Sequence, residues 1–103
     1  MGERFLDQYS LLHFAVGIVA YFWGLPLWFW NLIHILFELA ENTEMSMYYI
    51  NHHLPLWPGG KEYADTWINR LGDIIIGHLG WMLAYWLDLY GTQRGWFHRH
   101  RIL

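Results

Sequence analysis

Residues 26–42, PLWFWNLIHILFELAEN, decide how the chain is read. The stretch is apolar from Pro26 through Ala40, apart from Asn31, His34 and Glu38, and it closes on Glu41 and Asn42. These polar residues recur mostly at spacings of three and four, so at about 100° per residue they share one face of a helix. An ionisable group in a membrane span is costly, and several on one face point to a site.

Reading outward, Gly24-Leu25-Pro26 separates this stretch from an earlier apolar run. Pro suits the first turn of a helix and resists its interior, so the tripeptide predicts a tight hairpin. A single kinked helix from Leu11 to Asn42 is the other reading, and it gives two spans instead of three. A further apolar run follows from Asp65 to Tyr90. The expectation is an all-α membrane protein with three transmembrane helices: a helical hairpin over 5–42 plus a third helix over 65–90. The spans are 5–23, 26–42 and 65–90 within a single transmembrane domain, 1–103. An interfacial loop occupies 43–64 and a basic tail 91–103.

Composition points the same way. The 103 residues are 55% hydrophobic, 20% aromatic and 15% charged, too apolar for a soluble domain of this size. The absence of Cys removes disulfides and thiolate metal sites. A net charge of −3 gives no reason to expect nucleic acid as a partner. Glu3, Arg4 and Asp7 make a mixed-charge start unlike a cleaved leader, so the apolar runs are expected in the mature protein. Arg94, Arg99 and Arg101 in the tail place the C-terminus of an integral, multi-pass protein on the cytoplasmic side, against anionic lipid.

Polar residues also share faces on the other two segments. His13, Gly17, Ala20 and Gly24 form one stripe, its small residues admitting a close neighbour. Asp65, Asn69, Gly72 and Asp73 form another, ending in Gly80, with His78 pointing away. Up-down-up topology brings these faces to one end. The candidate site is therefore His13, His34, Glu38, Glu41, Asn42, Asp65, Asn69 and Asp73. Glu38, Glu41, Asp65 and Asp73 are candidate ligands for a divalent cation: a Cys-free carboxylate set suits Mg, Mn or Ca, and added His admits Zn or Fe. Each group also has a plain structural reading, with Asp65 as a helix N-cap and the Glu residues as interhelical hydrogen-bonding groups. His52-His53 and the tail histidines lack a spacing that marks ligation. Trp81, Tyr85 and Trp86 read as lipid-facing or interfacial anchors.

Three stretches in order carry a resemblance: HFAVG (13–17), FELAENT (37–43) and ADTWINRLGD (64–73). Together they resemble the VanZ-like membrane proteins and a related bacterial group of uncharacterised multi-pass membrane proteins. The likeness covers 13 to about 84. Phe37 stands where that group has Trp, Thr43 where it has Ser, and the intervening loop lacks its Arg-Tyr-Arg-like stretch. The resemblance implies a multi-helix membrane fold and a cell-envelope or lipid-related role, and it carries no reaction over.

Three functions compete. The first is a polar site, cation-dependent, that binds or acts on an amphiphilic, lipid-like substrate, with His13 or His34 as acid/base. The second is a non-enzymatic accessory subunit packed against membrane lipids and other membrane protein subunits. The third is a proton or ion relay.

Overall fold

A computed structural model describes residues 2–100 of the chain. Arg101, counted in the basic tail, lies outside them. Four helices follow in order: α1 (Ser10–Phe22), α2 (Leu27–Glu41), α3 (Glu44–His53) and α4 (Trp67–Gln93).

The boundaries come from side-chain and turn chemistry. Asp7 Oδ1 accepts from the Tyr9 amide at 2.9 Å, and the Asp7 amide donates to Ser10 Oγ at 3.0 Å. This local turn delays α1 to Ser10, five residues beyond the expected start. At its end, Leu25 N–H donates to Ala20 O at 3.1 Å and Gly24 N–H to Tyr21 O at 2.9 Å, with Gly24 at φ 84°. That paired closure needs a left-handed residue, which glycine supplies. Pro26 then leads into α2 with φ −66°. The single kinked helix is thereby excluded.

The interval 43–64, expected as loop throughout, contains α3. Thr43 Oγ1 accepts from Ser46 N–H at 3.3 Å, and Glu44 occupies the first turn. A side-chain cap and an acid beside the helix N-terminus start a helix that periodicity alone did not reveal. Only beyond His53 do Pro55, Pro58, Gly59 and Gly60 keep the chain irregular. The N-cap of α4 is Thr66, accepting from Asn69 N–H at 3.3 Å; Asp65 does not fill that role.

The expected three-span membrane fold is corrected here. α1 has 13 residues and α2 has 15, or roughly 20 Å each at 1.5 Å per residue, against a hydrocarbon layer of about 30 Å. α4 has the length, at 27 residues, but Asn69, Arg70, Asp73, His78 and Asp88 dilute its apolar character. Among the described residues, no helix is long and apolar enough to cross a membrane. The multi-pass placement falls with that finding, and so does the cytoplasmic side assigned to the C-terminus. The sequence reading weighed apolar content, but the Asp7–Ser10 turn leaves α1 short, and α4 keeps its length while carrying polar residues along it.

The hairpin is also rearranged. α1 and α2 barely pack on each other; both lie against α4, with α1 making the more extensive interface. α1 runs parallel to α4: a Cβ on Gly17 would collide with Gly77 O, and Tyr21 reaches Asp88 one helical stretch further on. α2 runs the other way, Trp30 Nε1 donating to Gly77 O at 3.1 Å and Asn42 meeting Asp65. Gly17 and Gly80 let the α1 and α4 backbones touch, as the small-residue stripe implied, while Gly77 makes room for His34 and Trp30 of α2. Residues 2–9 fold over the start of α4, where Thr66 N–H donates to Gly2 O at 2.7 Å and Asn69 Nδ2 to Arg4 O at 2.6 Å.

The interior is unusual in its chemistry. Ala20, Trp30, Met47 and Ala84 are the buried hydrophobic residues, while Ser10, His34, Glu38, Asn42, Asp65, Asn69, Asp73 and Asp88 are buried too. Large apolar side chains such as Leu11, Trp28 and Leu36 face outward. Close helix contact and hydrogen bonds therefore hold the centre. Trp81, expected as an anchor, donates its indole N–H to Leu25 O at 2.8 Å and fastens the α1–α2 turn to α4.

At the far end from the polar site, Tyr21 Oη donates to Asp88 Oδ2 in a short hydrogen bond, and the His100 amide donates to Asp88 Oδ1 at 3.1 Å. Asp88 is buried, and losing the hydroxyl leaves its Oδ2, among the described residues, with only the His100 amide at 3.3 Å. Tyr21→Phe is expected to cost about 1–3 kcal/mol of stability. A thermal melt followed by helical circular dichroism, unchanged by the substitution, would contradict this.

Candidate functional site

The site is built where α1, α2 and the first half of α4 meet. His13 comes from the first turn of α1. His34 and Glu38 lie one turn apart on the inner face of α2, and Asp73 faces them from α4. His13 Nδ1 stands 2.9 Å from His34 Nε2 and 3.5 Å from Glu38 Oε1; His34 Nε2 is 3.7 Å from the same oxygen. On its other side His13 Nε2 meets Asp73 Oδ2 at 3.3 Å. Trp30 stacks on His34, ring centroids 4.7 Å apart, and fixes its plane.

The remaining predicted residues have structural partners. Asn42 Nδ2 donates to Glu38 O at 2.8 Å and its Oδ1 accepts from Asp65 N–H at 2.8 Å, which ties the end of α2 to the start of α4. Asn69 is held by Arg4 O, with Asp7 Oδ2 at 3.3 Å from its amide nitrogen. Glu41 and Asp65 share Lys61: its Nζ is 3.6 Å from Glu41 Oε1 and 2.6 Å from Asp65 Oδ2. All eight predicted residues thus lie in or against one cluster, but they divide by role. His13, His34, Glu38 and Asp73 form its centre. Asn42 and Asn69 are clamps, and Glu41 and Asp65 bind an internal ammonium. Asn31, on the same helix as His34, turns instead to His78, 3.0 Å away.

The sequence reading missed Lys61, Trp30 and Asp7. Lys61 and Asp65 are four residues apart, a spacing that signals a pair on a helix; here the pair forms in a loop, positioned by Asn51 Nδ2 donating to Lys61 O at 2.6 Å. Nothing in the sequence distinguished Trp30 from the other aromatic residues of α2.

Electrostatics follow from burial. Glu38 is 1% exposed, and loss of water, reinforced by Asp73, drives its carboxyl far above the usual range, to about 9. Asp73 is also pushed up, first by burial. The two acids have carboxylate oxygens within 4.8 Å of each other, so Asp73 disfavours charge on Glu38. Burial lowers His34 to about 4, with His13 adding to the effect; burial also lowers His13, helped by Lys61 and opposed by Asp65 and Asp7. Glu41 is raised by burial against the pull of Lys61. At neutral pH the centre therefore comprises two neutral imidazoles beside a protonated glutamic acid. Glu38 Oε1, Asp73 Oδ1 and His34 Nδ1 are buried without a hydrogen-bond partner. Such orphaned polar atoms are costly unless they serve a ligand.

Among the described residues, two sets of side chains each bring one potential ligand atom apiece within 4.8 Å of one another: His13, His34 and Glu38, and Glu38, Asp65 and Asp73. Glu41, one of the expected ligands, belongs to neither. Beside the centre opens an apolar cavity of about 400 Å³, walled by Leu12, Val16, Ile33, Phe37 and Trp57. His13, His34 and Glu41 supply its polar end. A smaller polar cavity of about 40 Å³ lies on the opposite side of His13, reaching Asp73, Lys61 and Asn69.

No family model, curated protein or solved structure matches the chain, so the VanZ-like resemblance gains no support from such comparison.

Proposed function

We propose that the chain binds an amphiphile in two parts, an apolar tail in the cavity between α1 and α2 and an anionic head at the His/carboxylate centre, where a divalent cation joins them. The observation that carries this reading is the composition of the cavity wall. It is apolar throughout except at His13, His34 and Glu41, which belong to the cluster. A volume of about 400 Å³ falls within the range of small-molecule pockets, which pair an apolar lining with a few converging polar groups. An anionic head would be repelled by Glu38, Glu41 and Asp73 unless protons or a cation intervene, and a cation also polarises a phosphoryl oxygen.

Dodecyl phosphate below its micellar concentration is a suitable probe, compared with dodecanol and inorganic phosphate, with and without EDTA. Dodecyl phosphate is expected to bind at least about 10-fold more tightly than either fragment, by roughly additive use of the two parts. EDTA should weaken it, and Ile33→Trp, which fills the cavity, should reduce binding by about the same factor while helical content is unchanged. Equal affinity for dodecanol and dodecyl phosphate, or no effect of Ile33→Trp, would rule the two-part site out.

A further inference from the structure

We propose that His13 Nδ1, His34 Nε2 and Glu38 Oε1 are the ligands of a zinc-class ion, with a fourth coordination position open to the apolar cavity. The inference deepens the amphiphile reading and rests on it only for what occupies that fourth position.

The geometry of the three atoms is the first argument. They stand 2.9, 3.5 and 3.7 Å apart, so zinc bonds to imidazole nitrogen and carboxylate oxygen, about 2.0–2.2 Å long, reach all three from an ion in or just out of their plane. The donor set is the second argument. Two imidazoles and one carboxylate suit Zn or Fe, whereas Mg and Ca prefer oxygen alone.

Surrounding contacts supply the third argument. A metal-bound imidazole usually gives its other N–H to a carboxylate, and His13 Nε2 faces Asp73 Oδ2 at 3.3 Å in that role. Asp73 is thus a positioning residue. Glu38 Oε1 is buried, has no hydrogen-bond partner among the described residues and forms one corner of the triangle. An ion would take up that orphaned oxygen.

The alternative set, Glu38, Asp65 and Asp73, is weaker for a reason visible in the structure. Asp65 Oδ2 already holds the Lys61 ammonium at 2.6 Å, so an ion there must displace a cation. The His-containing triangle has no such competitor. Its open side faces the cavity, because His13 and His34 line both. Three protein ligands and one open position are the arrangement of zinc sites that bind a water or a substrate oxygen.

The test uses the full chain, stripped with EDTA and titrated with Zn²⁺ and, separately, with Mg²⁺. One zinc per chain is expected, with Glu38→Gln and His34→Asn each weakening it at least about 100-fold and Asp73→Asn by about 10- to 100-fold. The double change His52→Ala/His53→Ala should leave it unaltered. Because His34→Asn can disturb packing, Co²⁺ bound to the unaltered chain gives an independent reading: strong visible bands mark a four-coordinate site with imidazole ligands. Weak six-coordinate bands, zinc binding that survives Glu38→Gln, or magnesium binding lost only in Asp65→Asn would overturn the assignment. Dodecyl phosphate binding without zinc would refute the ion and keep the cavity. Zinc binding without dodecyl phosphate binding would do the reverse.

Discussion

Gly17→Ala is expected to destabilise the chain by about 3 kcal/mol or more, although alanine is the better helix former by about 1 kcal/mol. The reason is the partner of the added methyl group. A Cβ on Gly17 would overlap Gly77 O, with Gly77 C and Trp81 N close behind, and all three are backbone atoms of α4. A flexible side chain could turn aside, but a helix backbone must move as a body. Gly80→Ala meets the same obstacle from the opposite direction, where the overlap is with Phe14 O. Either change should push α1 off α4, separate His13 from Asp73, and lower the melting temperature. The double substitution should cost less than the sum of the two, because a single displacement relieves both collisions. A melting temperature equal to or above that of the unaltered chain would show that the helices do not touch in this way.

The second large effect concerns pH. In EDTA, the melting temperature should fall as pH rises from about 6.5 to 9, and Glu38→Gln should remove most of that slope. Glu38 ionises near its ordinary value of 4.5 when unfolded, but burial and then Asp73 hold its folded value near 9. Between those limits the folded chain keeps a proton that the unfolded chain releases. The stability due to the neutral acid is complete at low pH and drains away as pH rises, at no more than ~1.4 kcal/mol per pH unit. His34 works in the opposite sense and in another window. Its folded value near 4 and ordinary value of 6.5 make stability rise with pH between those points and contribute nothing beyond. Above 6.5 the trend therefore belongs to the acids, with Asp73, also raised by burial, adding to the lower part of the window. A flat wild-type profile, or an equally steep one in Glu38→Gln, would mean that Glu38 is not buried as a neutral acid.

Much of the cluster was readable before any coordinates, because helical spacing is enough to put side chains on a common face. His34 and Glu38 are four residues apart on α2, and Asn69 and Asp73 four apart on α4, so each pair had to point the same way. The glycines of α1 and α4 marked where those faces could approach. The turn at Gly24 was legible for the same kind of reason, since Gly before Leu-Pro leaves few backbone options. The membrane assignment failed on another property. Apolar content says which residues avoid water, but the Asp7–Ser10 turn leaves α1 short, and α4, long enough, is interrupted by its own polar residues. Asp7 closing on Tyr9 shortens α1, and Thr43 starts a helix in what looked like loop. Which acids are already paired was equally hidden. It depends on Lys61 reaching Glu41 across a loop, a contact that no periodic pattern encodes.

That lysine belongs to the irregular connection between α3 and α4, and not to any helix. The ammonium offsetting Glu41 and Asp65 is therefore delivered by the segment with the least regular backbone. Seating of that segment and the protonation of Glu41 form a single linked equilibrium, and linkage is reciprocal. Whatever lifts Lys61 away removes the charge that opposes protonation of Glu41, and whatever neutralises Glu41 loosens the connection's grip.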